Sequence, residues 1–309
     1  MPAEGRARFL NKTSKQMKEK KLTLRLGGVV IRFVSYSPEI EFKRVPEQSQ
    51  FVSKTKPEIT ISVHPGPIPK YPLGEKVFSS RGAWDLHRNK GRWVFRVGWR
   101  RGNNSLAKLA VFDENFKSGQ IYLNSSKPTW FDLLNSYLGY PLGHLILSSF
   151  LFINGDAVLH ACGINDRGKG IIFVGPSGRG KTTMASLWLK RKGALLLADE
   201  RVALRKTDGK FYIFGIPRYG YGKGHLSSPG KAPLERIFFL ERGQKNCVYP
   251  LTKHRALSNL LITAFPPVWS PRGMKDVLEI FAEIAKKVPS SKLIFAPDRS
   301  AVDFVRKIG

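Results

Sequence analysis

The chain has 309 residues, 42% hydrophobic and 11% aromatic, which is enough apolar material for packed cores and too much for a disordered chain. Lysine and arginine number 52 against 23 acids, a formal net charge of +29 that raises the local concentration of any anion. The basic residues are spread along the chain and no zinc-finger or paired-aromatic RNA-binding motif accompanies them, so a dedicated nucleic-acid role is not favoured.

Residues 1–21 form a polar, basic tail with no apolar stretch like that of a signal peptide, and a cytoplasmic location is expected. Residues 22–126 read as a β-rich domain. The segments LTLRL, GVVIRFVS, EITISVH, KVFSS, AWDLHR, RWVFRVGW, LAVF and QIYL are short, often alternating and rich in β-branched and aromatic side chains. Turn clusters at residues 64–74, 87–91 and 101–105 separate them, and the expectation is an antiparallel layer.

The texture changes at Lys127-Pro128, where a second domain, residues 127–309, begins. Trp130, Leu133, Leu134, Tyr137 and Leu138 fall at helical spacing, and Pro141 opens a second helix to about Phe152. Its apolar run LILSSFLFI is too short for the roughly 20 residues of a membrane span. Strands AVLHACGI and GIIFV follow, then a helix after Lys181, then strands ALLLAD, RVALR, FYIFGI and ERIFFLER. A helix over residues 274–288, a strand KLIFA and a last helix over 300–308 end the chain. Such alternation predicts an α/β domain, a sheet flanked by helices. The two cysteines, Cys162 and Cys247, stand far apart and read as buried thiols.

Residues 175–182, GPSGRGKT, fit the phosphate-loop pattern G-x-x-x-x-G-K-[ST] without substitution, between the strand and helix that the chemistry requires. Gly175, Gly178 and Gly180 let the backbone of Pro176, Ser177 and Arg179 turn so that N–H groups face inward, while the Arg179 side chain faces solvent. Thr183 continues the cradle into the helix, whose N-terminal end favours anions. Lys181 can reach the terminal phosphates and the Thr182 hydroxyl can ligate Mg²⁺. ALLLADE then delivers Asp199 and Glu200 at a strand end, to hold Mg²⁺ or to take the proton of an attacking hydroxyl. His160, in an apolar strand, would by itself be a hydrogen-bonded core residue. In the glycine-rich loop IPRYGYGKG, Arg218 could cap a transferred phosphate, with Lys223 approaching from the same loop.

LHACGIN, GIIFVGPSGRGKTT and LLLADERVAL, in this order and spacing, resemble the HPr kinase/phosphorylase-like group, whose core is related to ATP-dependent phosphoenolpyruvate carboxykinase. The resemblance covers about residues 151–251 and implies that fold. It also implies that His160 contacts the transferred phosphoryl group, that Asp199 is the general base, and that Lys181 and Thr182 serve phosphate and Mg²⁺. Two departures stand out. Glu200 occupies a position where the bacterial HPr kinases have Asp, and no E-x-R-G-x-G stretch follows, so HPr itself is not the expected acceptor.

The expected activity is thus Mg²⁺-dependent transfer of the terminal phosphate of ATP to a hydroxyl of a small molecule, peptide or protein. The β-rich half would select the acceptor or build a homo-oligomer. The competing expectation is a nucleotide-binding regulatory or nucleic-acid-associated module with little transfer activity, which the charge favours.

Overall fold

A computed structural model describes residues 18–42, 49–80, 82–98, 106–124, 141–217 and 227–308. Most of the basic tail, the first helix expected after Pro128, and Arg218 and Lys223 lie outside the described residues.

All eight strands expected in the first half are present: β1 (Lys20–Leu26), β2 (Val29–Ser35), β3 (Ile59–Gly66), β4 (Glu75–Ser79), β5 (Trp84–Asn89), β6 (Arg92–Gly98), β7 (Leu106–Phe112) and β8 (Ser118–Asn124). Alternation does the sorting. Leu22, Leu24 and Leu26 of β1, and Ile59, Ile61 and Val63 of β3, turn inward while their neighbours stay wetter. The strands form one sheet in the order β1-β2-β3-β8-β7-β6-β5-β4. It is not wholly antiparallel as expected, because β2–β3 and β3–β8 are parallel pairs. The connection from β2 to β3 is long enough to return the chain to the same end of the sheet, which a tight hairpin cannot do.

The inner face of this sheet is covered by α1 (Leu142–Ile153), the helix expected after Pro141. Leu142, Leu145, Ile146, Phe150 and Leu151 share a core with Phe33, Phe95, Phe112 and Ile121 of the sheet and with Val158, Ala203 and Ile216 beyond it. Nearly every α1 side chain is buried, which explains the membrane-like look of the run. Among the described residues no helix is long and apolar enough to cross a membrane.

The second half alternates as expected: β9 (Ala157–Leu159), β10 (Ala161–Asp166), β11 (Lys169–Val174), α2 (Lys181–Leu189), β12 (Ala194–Ala198), β13 (Val202–Thr207), β14 (Lys210–Phe214), β15 (Lys231–Arg242), β16 (Cys247–Pro250), α3 (Lys253–Thr263), α4 (Pro271–Lys287), β17 (Ser290–Phe295) and α5 (Ser300–Ile308). The strand order is β12-β10-β11-β15-β14-β13-β9, with β17 beside the second part of β15 and β16 beyond it. The twelve-residue β15 joins two regions: its first residues pair with β14 and the rest lie between β11 and β17. Trp188 of α2 and Val302 and Val305 of α5 pack with Phe173 and Phe238, while Leu260 of α3 and Phe281 of α4 pack in a separate core with Val174 and Ile237. The protein is thus a mixed α/β chain of two sheets and a few helices.

β16 and α3 have no counterpart among the elements expected from the sequence, and two further local outcomes differ from expectation. AVLHACGI is not one strand, because the chain breaks at His160 and passes from a pairing with β13 to pairings with β11 and β12. Helix α4 starts three residues earlier than its apolar stripe suggests. The Ser270 hydroxyl accepts from the Gly273 N–H at 3.1 Å and Pro271 takes the first helical position, where no backbone donor is needed.

Candidate phosphate-transfer site

β11, β15 and β17 run parallel, so Val174, the last turn of β15 and Phe295 lie at one end of the sheet. β10 and β12 run so that two more chain ends arrive there. The first residue of β10, Ala161, faces Val174, and Ala198 at the end of β12 faces Gly163. His160 precedes β10 and Asp199 follows β12. The register therefore brings His160, Asp199 and the loop 175–180 together, at the strand ends where open α/β sheets hold ligands.

The loop has the backbone its glycines imply. Gly178 and Gly180 sit at φ of 83° and 100°, in the left-handed region. At Gly180 a side chain is doubly excluded, since an added Cβ would lie 2.5 Å from the Phe295 ring. Helix α2 begins at the next residue. Ser177, Gly178 and Arg179 are exposed at the loop's tip, and Pro176 beside them.

Lys181 is buried, and its ammonium donates to the carbonyls of Gly175 at 2.6 Å and Pro176 at 3.0 Å. Burial lowers its pKa from the usual lysine value, opposed by the negative charges of Glu200 and Asp199. Asp199 is 3% exposed and lies near enough to Cys162 to help raise that thiol's pKa, which burial already lifts well above normal. Cys162 is therefore an inert buried thiol, as expected.

The His160 backbone N–H donates to the Thr263 carbonyl at 2.8 Å, which ties the break between β9 and β10 to the end of α3. Its ring is half-buried beside Phe265, at 6.0 Å between centroids. Burial lowers its pKa first, Lys181 and Arg201 lower it further, and Glu200 opposes them. A neutral imidazole is the result at neutral pH. Glu200 itself is paired with Arg201 at 3.6 Å.

Thr182 and Thr183 open α2, and the Thr183 hydroxyl accepts from the Arg242 guanidinium at 3.1 Å. Among the described residues no three His, Cys, Asp or Glu side chains gather as a metal cage. A pair of acids with one threonine hydroxyl nevertheless fits Mg²⁺, which keeps several waters and takes phosphate oxygens rather than an all-protein cage.

Two residues went unread in the sequence. Arg242 ends β15 beside the loop, and Arg201 is buried with its guanidinium 5.4 Å from the Phe265 ring centroid. The signal for Arg242 was present, a charge closing the apolar run FFLER just as Asp199 closes ALLLA. A cleft of about 520 Å³ opens beside the loop, between Gly175, Pro176 and Arg179 on one side and α3 on the other.

Fold and site together define a mixed α/β protein with a strand, glycine loop and helix at the end of a sheet, flanked by two acids and a histidine. No protein-family model and no curated protein matches the sequence. Among solved structures the chain is similar to the HPr(Ser) kinase/phosphatase from Coxiella burnetii, at 11% identity and a TM-score of 0.29, over 49% of this chain and 95% of that one. A likeness that low fixes neither fold nor function.

Proposed function

We propose that the chain is a Mg²⁺-dependent kinase that transfers the terminal phosphate of ATP to a hydroxyl acceptor. The observation that carries this reading is the convergence of Lys181, His160, Asp199 and Glu200 at one sheet end, close enough that Lys181's proton affinity responds to both acids.

Backbone N–H groups of the loop and the first turn of α2 hold the phosphates, aided by the positive end of the helix. The Lys181 ammonium, resting on the Gly175 and Pro176 carbonyls, turns to the terminal phosphate oxygens. Asp199 takes the proton of the acceptor hydroxyl as its oxygen forms the new bond to phosphorus. The bond from phosphorus to the bridging oxygen breaks and its electron pair leaves on ADP. His160, uncharged, donates one ring N–H to an equatorial oxygen in flight. Thr182, Asp199 and Glu200 would hold Mg²⁺, which neutralises charge on the phosphates. Arg218 belongs to the same proposal as a cap on the transferred group.

Calorimetric titration of MgATP into the wild type, Lys181→Ala and Lys181→Met tests the phosphate site. Loss of a charge-assisted contact should weaken binding at least about tenfold in both folded variants. Unchanged affinity would sink the assignment. A chain that binds MgATP through Lys181 yet transfers phosphate to nothing, water included, would instead be a regulatory module, the reading that the net charge of +29 favours.

A further inference from the structure

The cleft beside the loop has walls that already belong to the chemistry. Gly175 and Pro176 on one wall are the two residues whose carbonyls hold the Lys181 ammonium. Thr263 on the opposite wall accepts the His160 N–H. The cleft therefore abuts the loop on which the Lys181 ammonium rests and the end of α3 that anchors the His160 backbone. Its charge is one-sided. Lys292 is paired with Glu241 at 2.8 Å, and these two lining charges cancel. Arg179 from the loop, also within electrostatic reach of Glu241, and Arg255 from α3 add two further positive charges, both exposed. Ser258 and Asn259 of α3 add hydrogen-bonding groups to the same wall.

We infer that this cleft is the acceptor subsite, and that it takes a small hydroxyl compound bearing a carboxylate or phosphate. The inference rests on the kinase reading and adds to it the chemical class of the acceptor. The volume of about 520 Å³ suits a small molecule. The excess of cations over the single lining acid Glu241 favours an anion, which guanidinium groups hold by bidentate hydrogen bonding, and seats its hydroxyl beside the phosphate loop. Arg179, which looked like a solvent-facing residue of the motif, acquires a recognition role. Helix α3 supplies the other half.

The test uses the full chain and a panel of glycerol 3-phosphate, D-glycerate and L-serine, with glycerol and ethanolamine as uncharged and cationic controls. Binding is followed by ligand-observed NMR without nucleotide, and transfer is followed with γ-labelled ATP. At least one anionic member should bind and take label, the controls should not, and Arg255→Gln should weaken that binding at least about tenfold while leaving MgATP affinity unchanged. Arg255 is exposed on the first turn of α3 and its backbone cap is untouched, so the variant folds. If no panel member binds, if the controls bind equally well, or if Arg255→Gln binds like the parent, the assignment is wrong. Failure of the panel with intact MgATP binding overturns the subsite alone. Arg255-dependent binding of the panel in a chain that ignores MgATP overturns the kinase reading and with it the acceptor role, leaving only an anion site.

Discussion

His144 shows how one buried residue sets a property of the whole chain. It lies inside α1, edge-on to Phe265 at 4.4 Å between ring centroids. Burial first, then the charges of Arg201 and His160, bring its pKa down from 6.5 to about 3. The unfolded chain takes a proton here near its ordinary value and the folded chain refuses it until far lower pH. The unfolded state therefore binds more protons in that window, and stability is lost as pH falls through it. Between about pH 7 and pH 5 this residue alone costs about 2 kcal/mol. Urea unfolding of His144→Gln should show a stability drop over that interval smaller than the parent's by about that amount. Equal drops would mean that His144 titrates alike in the folded and unfolded chains, its pKa not depressed by burial. At the same scale, Lys181 and the glycines of the loop were legible because a motif fixes spacing and residue type together. Arg201 and Arg242 were not, since a charge at a strand end acquires meaning only from the neighbouring strand.

Among the elements, the attachment of α5 is the most local test of packing. Arg306 donates from Nε to Asp166 at 3.0 Å, and from its Nη2 at 2.6 Å to the same carboxylate and at 3.1 Å to the Lys192 carbonyl. The guanidinium also lies 5.4 Å from the Trp188 ring centroid, so one side chain joins α5 to α2 and to the β10–β11 hairpin. Breaking a buried pair strands the remaining charge, typically at about 3–5 kcal/mol, and some water contact puts this one at the lower end. Asp166→Ala should therefore cost about 3 kcal/mol in urea unfolding, whereas Lys275→Ala, which removes an exposed pair on α4, should cost under about 1 kcal/mol. Similar costs for the two would show that the clamp holds nothing. The strands of the first half could be read because alternating burial marks each one independently. Their pairing could not: nothing in ITISV reveals that β3 sits between two parallel neighbours. The break at His160 was hidden for a similar reason, since AVL and ACGI are equally apolar and only the partners of β9 and β10 differ. Helix α3, with its polar face and weak periodicity in KHRALSNLLIT, went unread although it forms half of the cleft.

In the whole molecule, two sheets share apolar cores with α1 between them, and the chemistry gathers at one end of the second. Segments far apart in sequence arrive there because β12, β15 and β17 run with β11 and end there, while β10 runs opposite and begins there. That arrangement gives Asp199 its place near Lys181, and the proposed proton transfer depends on it. The decisive measurement is the rate of phosphate transfer from γ-labelled ATP by Asp199→Asn, with Glu200→Gln beside it and MgATP affinity recorded for both. A lost general base should slow Asp199→Asn by at least about 10²-fold, with affinity unchanged or tighter because a negative charge near the phosphates has gone. Glu200→Gln should lose less rate and need more Mg²⁺. Transfer by Asp199→Asn at the parent rate would contradict the catalytic assignment outright.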